Sequence, residues 1–159
     1  MKSSVRFQFD IVLSLLTVAF IIITDRLSKI YFAKFLSEGE SLPIIRNVLH
    51  MTLVHNTGIA FGLFKDHGII FIIIPIVFVI LLVINIYYYK KTQSLSLPYI
   101  LGFSLIIGGA VGNLVDRITL GYVIDFVDIR IWPVFNIADS AITIGAVIIL
   151  LQCIPLSAK

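Results

Sequence analysis

Residues 68–89 read GIIFIIIPIVFVILLVINIYYY and contain no charged side chain. A helix that crosses the hydrocarbon layer of a bilayer needs about 20 mostly apolar residues. Pro75 can kink such a helix without ending it, because neighbouring helices can satisfy the freed backbone groups. The stretch therefore predicts a transmembrane helix.

Three further segments predict spans. Residues 11–24 are uncharged but too few to cross the bilayer, so this span must continue through Asp25. Residues 92–115 are uncharged throughout. Residues 133–156 contain one charged residue, Asp139. We predict a single integral membrane domain over residues 1–159. Its spans cover about residues 10–30, 68–89, 93–115 and 134–156, and its longer loops cover about residues 31–67 and 116–133.

The composition excludes several classes of protein. The chain is 59% hydrophobic and 13% charged, whereas a soluble domain is about 25% charged. A water-soluble globule, a disordered tail and a nucleic-acid binder are therefore excluded. The single cysteine excludes a disulfide scaffold and a multi-thiolate metal site. The three histidines have no spacing typical of metal ligands, so we expect no metal or other cofactor.

Charge patterning predicts the orientation in the membrane. The N-terminal tail carries Lys2 and Arg6, and a short turn carries Lys90 and Lys91. With Lys159 also inside, the outer side would hold the other seven Lys and Arg residues, five of them on the two longer loops, but short loops carry most of the positive-inside signal. We therefore expect both termini to be cytoplasmic and the two longer loops to lie outside.

The two outer loops contain strand patterns. Leu49, Met51 and Leu53 alternate with polar residues, and residues 56–58 are typical of a turn. Residues 121–127 are rich in β-branched and aromatic side chains. These patterns predict a small sheet on the outer membrane surface.

Two aspartates lie where charge is costly. Asp125 interrupts an apolar loop segment, and Asp139 lies where the fourth span begins. A charge in hydrocarbon costs about 2.5–3.5 kcal/mol on insertion scales, so such acids are functional candidates. Asn136 and Asp139, three residues apart, are expected to share a helix face, as are Asn113 and Arg117, four residues apart, on the same side of the membrane.

The interval between Asp125 and Asp139 includes Pro133 and is long enough to bring the two carboxylates together. Two acids in a poorly solvated site share one proton, as in aspartic proteases. Simpler interpretations stay open. Asp125 could be an interfacial loop acid, Asp139 could favour a helix N-terminus, and Asp116 with Arg117 could form an ion pair at a helix end.

Taken together, the polar segments resemble the lipoprotein signal peptidases, also called signal peptidase II. Ser28 stands where that family more often has threonine. The resemblance covers nearly the whole chain and is carried, in order, by DRLSK at 25–29, HNTGIAFG at 55–62, GGAVGNLVDR at 108–117 with VIDF at 123–126, and FNIADS at 135–140.

The resemblance implies an aspartic endopeptidase with four transmembrane helices, a half-barrel sheet and a short helix on the outer surface. Its implied substrate is a diacylglyceryl-modified prolipoprotein, cleaved just before the lipid-bearing cysteine, in the bacterial cytoplasmic membrane. Asp125 and Asp139 match the catalytic aspartates. Five further residues of this chain match family residues that line or support the site: Asn56, Asn113, Arg117, Asn136 and Asp25.

Two other classes of protein are alternatives to a peptidase. A small transporter or proton-relay subunit would carry polar residues throughout the membrane depth, whereas here they cluster at one end. A structural protein explains Gly108 and Gly112 as packing residues but leaves the aspartates without a role. Membrane lipid is an expected partner, nucleic acid is not, and we expect a monomer.

Overall fold

Four helices and three strands follow one another in the computed structural model, which describes residues 2–58, 69–92 and 96–154. Their order is α1 (Lys2–Phe35), β1 (Ser41–Ile45), β2 (Leu49–Asn56), α2 (Ile70–Thr92), α3 (Leu97–Leu120), β3 (Val123–Asp128) and α4 (Ile137–Cys153).

Helix α1 is longer at both ends than the span expected at residues 10–30. The apolar run ends at Asp25 in the sequence, but the helix continues because Asp25 and Lys29, four residues apart, form an ion pair of 2.7 Å between Oδ2 and Nζ. Apolar side chains such as Leu15, Leu16 and Phe20 are exposed along the helix. A helix in contact with lipid presents such a surface.

Helix α3 packs against the other three helices, and its glycines allow the closest approach. A Cβ atom on Gly108 would lie 3.0 Å from the Ile21 Cβ of α1, and one on Gly109 would overlap the Ala138 carbonyl oxygen of α4. These contacts give Gly108 and Gly109 a role in helix packing. The helix extends past residue 115 to Leu120 and places Arg117 in its last turn, directly after Asp116.

The three strands form one antiparallel sheet in the order β1-β2-β3. In its register, Leu42 of β1 lies opposite Met51 of β2, and Val54 of β2 lies opposite Asp125 of β3. The sheet predicted from the alternating and β-branched segments is therefore confirmed.

The sheet is fixed to the end of α1. Phe32 of α1 stacks on Phe126 of β3 with ring centroids 4.5 Å apart. Leu36, Leu53 and Ile124 form a buried cluster beside this stack. We call this region the sheet end of the helices: α1 and α3 finish there, and α4 begins there.

Among the described residues, two helices are long and apolar enough to cross a membrane: Arg6–Phe35 of α1 and Leu97–Leu120 of α3. The apolar parts of α2 and α4, Ile72–Ile84 and Ile137–Gln152, are shorter. The described residues contain no helix besides α1–α4 that could be the expected outer-surface helix. Residues 59–68 of the first long loop, which include His67 and the end of the second motif, lie outside the described residues.

Candidate active site

The N-terminus of α4 positions the first candidate aspartate. Asn136 precedes the helix as its N-cap, and its Oδ1 accepts a hydrogen bond of 2.9 Å from the Asp139 backbone N–H. The Asp139 Oδ2 accepts one of 3.2 Å from the Asn136 backbone N–H. This reciprocal capping box satisfies two backbone donors. It links the two residues through a cap and not, as their spacing had suggested, through a shared helix face.

The second candidate aspartate lies on β3. Asp125 is 1% exposed, and each of its carboxylate oxygens accepts a hydrogen bond. Asn56 Nδ2 donates to Oδ2 at 2.9 Å, and Asn136 Nδ2 donates to Oδ1 at 2.7 Å. Asn136 therefore bonds to both aspartates.

Asn56 reaches Asp125 from a turn that the sequence predicted. Its Oδ1 accepts the Gly58 backbone N–H at 2.8 Å, and Gly58 has the left-handed φ of 81° that glycine adopts readily. Because Oδ1 is occupied by a donor, Nδ2 is the atom that faces Asp125. The turn thus fixes the orientation of this amide.

Asn113 on α3 joins the network from the other side. Its Nδ2 donates to Asp139 Oδ1 at 2.7 Å, and its Oδ1 accepts from Asn136 Nδ2 at 3.0 Å. Arg117, one turn further along α3, interacts electrostatically with Asp139, Asp125 and Asp116. Residues far apart in the sequence, from β2, α3, β3 and α4, thus meet at the sheet end.

The environment of Asp125 favours its protonated form. Burial raises the pKa of Asp125 from 3.8 to about 6, and the negative charge of Asp139 adds to this effect. The hydrogen bonds from Asn56 and Asn136 and the positive charge of Lys29 oppose it. A carboxyl group with such a pKa can both hold and release a proton near neutral pH, as general acid–base catalysis requires.

Asp25 supports this site from α1. Its Oδ1 accepts a hydrogen bond of 2.9 Å from the Ala138 backbone N–H, in the first turn of α4. Its Oδ2 pairs with Lys29 and lies where a Cβ on Gly112 would approach within 2.8 Å. Asp25 therefore fixes α1 to the N-terminus of α4.

Sequence reasoning missed the roles of Lys29 and Asp116. Asp116 accepts hydrogen bonds from Arg26 at 3.0 Å and from the Ile124 backbone N–H at 3.2 Å, and it pairs with Lys29 at 2.9 Å. The neighbouring Arg117, considered as its partner in an ion pair, does not provide these contacts. The four-residue spacing of Asp25 and Lys29 was the available signal, because it indicates a pair on one helix face.

In the described part of the chain, no group of three or more His, Cys, Asp or Glu side chains is arranged so that it could hold a metal ion. His55 instead stacks on Tyr122 at 4.2 Å and pairs with Glu38 at 3.2 Å.

Comparison with known proteins identifies the family. The model of the family described as Signal peptidase (SPase) II matches residues 17–155. Lipoprotein signal peptidases from Halothermothrix orenii and Caldanaerobacter subterraneus subsp. tengcongensis are 45% and 42% identical to this chain. These matches cover 86% of this chain in both cases, and 91% and 92% of the relatives. The relative from Moorella thermoacetica is 40% identical over 87% of this chain and 90% of its own length.

Two solved structures share the fold. Both are described as bacterial membrane enzymes determined by the in meso method, at 2.3 Å and 1.9 Å resolution. They superpose with TM-scores of 0.77 and 0.81, at 33% and 34% identity. The matches cover 92% and 91% of this chain and 94% of each neighbour. The fold and its apolar helices are those of a membrane-bound bacterial enzyme. The chain belongs to the signal peptidase II family and is a peptidase.

Proposed function

We propose that this chain is an aspartic endopeptidase that removes the signal peptide from diacylglyceryl-modified prolipoproteins. It hydrolyses the peptide bond just before the lipid-bearing cysteine. The observation that carries the proposal is the hydrogen-bond network in which Asn136 bonds to both Asp125 and Asp139 at the sheet end. Family membership and the names of the relatives support the reaction.

Asp125 and Asp139 carry the chemistry in this proposal. The pair shares one proton: the ionised carboxylate takes a proton from water, and the protonated one donates a hydrogen bond to the scissile carbonyl. The water oxygen bonds to the carbonyl carbon. The carboxyl group that took the proton from water then passes it to the nitrogen of the leaving cysteine, the C–N bond breaks, and the pair is left with its one shared proton. No covalent enzyme intermediate forms. The raised pKa of Asp125 supports a shared proton near neutral pH.

The surrounding amides hold the aspartates in position. Asn56 and Asn136 donate to Asp125, and Asn113 donates to Asp139. Asp25 maintains the position of the α4 N-terminus through its bond to Ala138. Arg117, partly exposed beside the site, contacts a lipid headgroup or a carbonyl oxygen of the substrate, because a guanidinium donates several directed hydrogen bonds to such oxygens.

The proposed setting is the bacterial cytoplasmic membrane. Helices α1–α4 all span it, both termini are cytoplasmic, and the sheet lies on the outer surface. The acyl chains of the substrate remain in lipid while its scissile bond meets water at the outer end of the helices. The protein acts as a monomer. The exposed apolar side chains along α1 and α2 support contact with lipid.

A cleavage assay in detergent tests the function. The purified protein is offered a diacylglyceryl-modified precursor peptide, and the products are identified by mass spectrometry. We expect cleavage before the modified cysteine by the wild type and by Asp128→Asn, a control on the same strand as Asp125. We expect none by Asp125→Asn or Asp139→Asn. Lack of cleavage by the folded wild type would contradict the proposed function, and cleavage by either aspartate variant would remove that residue from the catalytic pair.

A further inference from the structure

Lys29 has an unusual environment for a lysine. Its side chain is 0% exposed, and its Nζ has three oxygen partners. These are Asp25 Oδ2 at 2.7 Å, Asp116 Oδ2 at 2.9 Å and Asn113 Oδ1 at 3.0 Å. An ammonium group has three N–H donors and no acceptor, so this set satisfies it completely. The charges of Lys29 and Arg26 balance those of the two aspartates, so the third partner of Lys29, a neutral amide, is not needed for charge balance.

The bond to Asn113 determines which way that amide points. With Oδ1 toward Lys29 and Asn136 Nδ2, Asn113 presents Nδ2 to Asp139 Oδ1 at 2.7 Å. The reversed amide would direct N–H groups at two donors and its oxygen at a carboxylate. Because the ammonium can only donate, it selects the orientation that bonds to Asp139.

We propose that Lys29 is a positioning residue: its ammonium holds the Asn113 amide so that Nδ2 donates to Asp139. This inference rests on the proposed peptidase function, which it deepens, because Asp139 is one of the two proposed catalytic groups. Lys29 itself touches no reacting atom and acts through Asn113.

A neighbouring residue separates positioning from general charge balance. Arg26 also pairs with Asp116, at 3.0 Å, and its side chain is 41% exposed. It has no bond to Asn113. Arg26→Gln therefore removes one positive charge from the same ion cluster but leaves the amide orientation intact, and it is the matched control for Lys29→Met.

The experiment compares Lys29→Met with the wild type and Arg26→Gln on the lipidated precursor peptide. We expect kcat to fall on the order of a hundredfold in Lys29→Met, the effect of displacing a positioned group by roughly 1 Å. KM should change little, since Lys29 is buried away from the substrate, and Arg26→Gln should keep the wild-type kcat. An unchanged kcat in folded Lys29→Met, or an equal loss in both variants, would overturn the proposal.

A second pair of variants keeps the test valid if Lys29→Met fails to fold. In Asp25→Asn/Lys29→Met, one charge of each sign is removed, and the new amide oxygen can still accept the Ala138 N–H. The comparison is with Asp25→Asn alone. We expect kcat of the double variant to be on the order of a hundredfold below that of Asp25→Asn. Equal kcat values in the two proteins would overturn the proposal.

A readout without catalysis separates this inference from the proposed function. In protein labelled with ¹⁵N-asparagine, the Asn113 side-chain amide is assigned by its loss in Asn113→Gln. We expect slow hydrogen exchange of this amide in the wild type and in Arg26→Gln, and fast exchange in Lys29→Met. Equally slow exchange in Lys29→Met would refute positioning, whether or not the protein cleaves the peptide. An inactive wild type with the expected exchange pattern would refute only the function.

Discussion

Protonation of Asp125 should change the stability of the protein in a way that can be calculated from its pKa. The carboxyl group has a pKa of about 6 in the fold and an ordinary value of 3.8. The folded protein therefore binds this proton more tightly than the unfolded chain. The resulting stabilisation is complete below the ordinary value and is lost as the pH rises through about 6.

The size of the effect follows from the difference between the two pKa values, 3.8 and about 6. At about 1.36 kcal/mol per pKa unit, it is about 3 kcal/mol. For a chain of this length, 1 kcal/mol changes Tm by about 2–4 °C. Between about pH 3 and pH 8 the wild type should therefore lose about 6–12 °C more in Tm than Asp125→Asn, which cannot titrate at this position.

Thermal unfolding in detergent, followed at several pH values, measures this difference. Contributions from groups that do not interact with Asp125 occur in both proteins and cancel in the comparison. Asp128→Asn is a control for which the pH dependence has the opposite sign. Hydrogen bonds from Arg130 and Thr52 outweigh the effect of burial and lower the pKa of Asp128, so the stabilisation that Asp128 contributes is lost as the pH falls. Parallel curves for wild type and Asp125→Asn would refute the account of Asp125.

Substitutions at three further positions, Asn136, Gly109 and Arg117, test other parts of the structure. Asn136→Ser keeps a capping oxygen but loses the amide donor to Asp125, so unfolding should show a loss of about 1.5–3 kcal/mol; Asn136→Ala should lose about 1 kcal/mol more, and equal stabilities would contradict the capping role. Gly109→Ala should destabilise the protein by about 1–3 kcal/mol because its Cβ meets the Ala138 carbonyl, and a wild-type Tm would contradict that close contact. Arg117→Ala should slow processing of the lipidated peptide while the fold is retained; an unchanged rate would exclude a substrate contact.

The sequence was sufficient where the physical signal is local. Alternation of apolar and polar residues located β2, and β-branched content located β3, because both patterns are typical of strands. The cost of charge near lipid singled out Asp125 and Asp139 as candidates. Family resemblance was needed to assign their roles.

Pairing between distant elements could not be predicted in the same way. Nothing local indicates that Lys29 on α1 contacts Asn113 and Asp116 on α3, since this depends on how closely two helices approach. The apolar run ends at residue 24, well before the end of α1. The sequence does not distinguish charged residues buried in an ion pair, such as Asp25, from charged residues exposed at the membrane interface. The three-residue spacing predicted that Asn136 lies on α4 with Asp139, whereas the helix begins at the residue after Asn136.

The central claim is that Asp125 and Asp139 act as one catalytic unit. Initial rates of peptide cleavage by Asp125→Asn, Asp139→Asn and the double variant test it most directly, with the folded fraction of each measured in parallel. Residues that act together give strongly non-additive losses, so all three variants should fall to the same residual rate. Losses that multiply in the double variant, or a wild-type rate in either single variant, would contradict the claim.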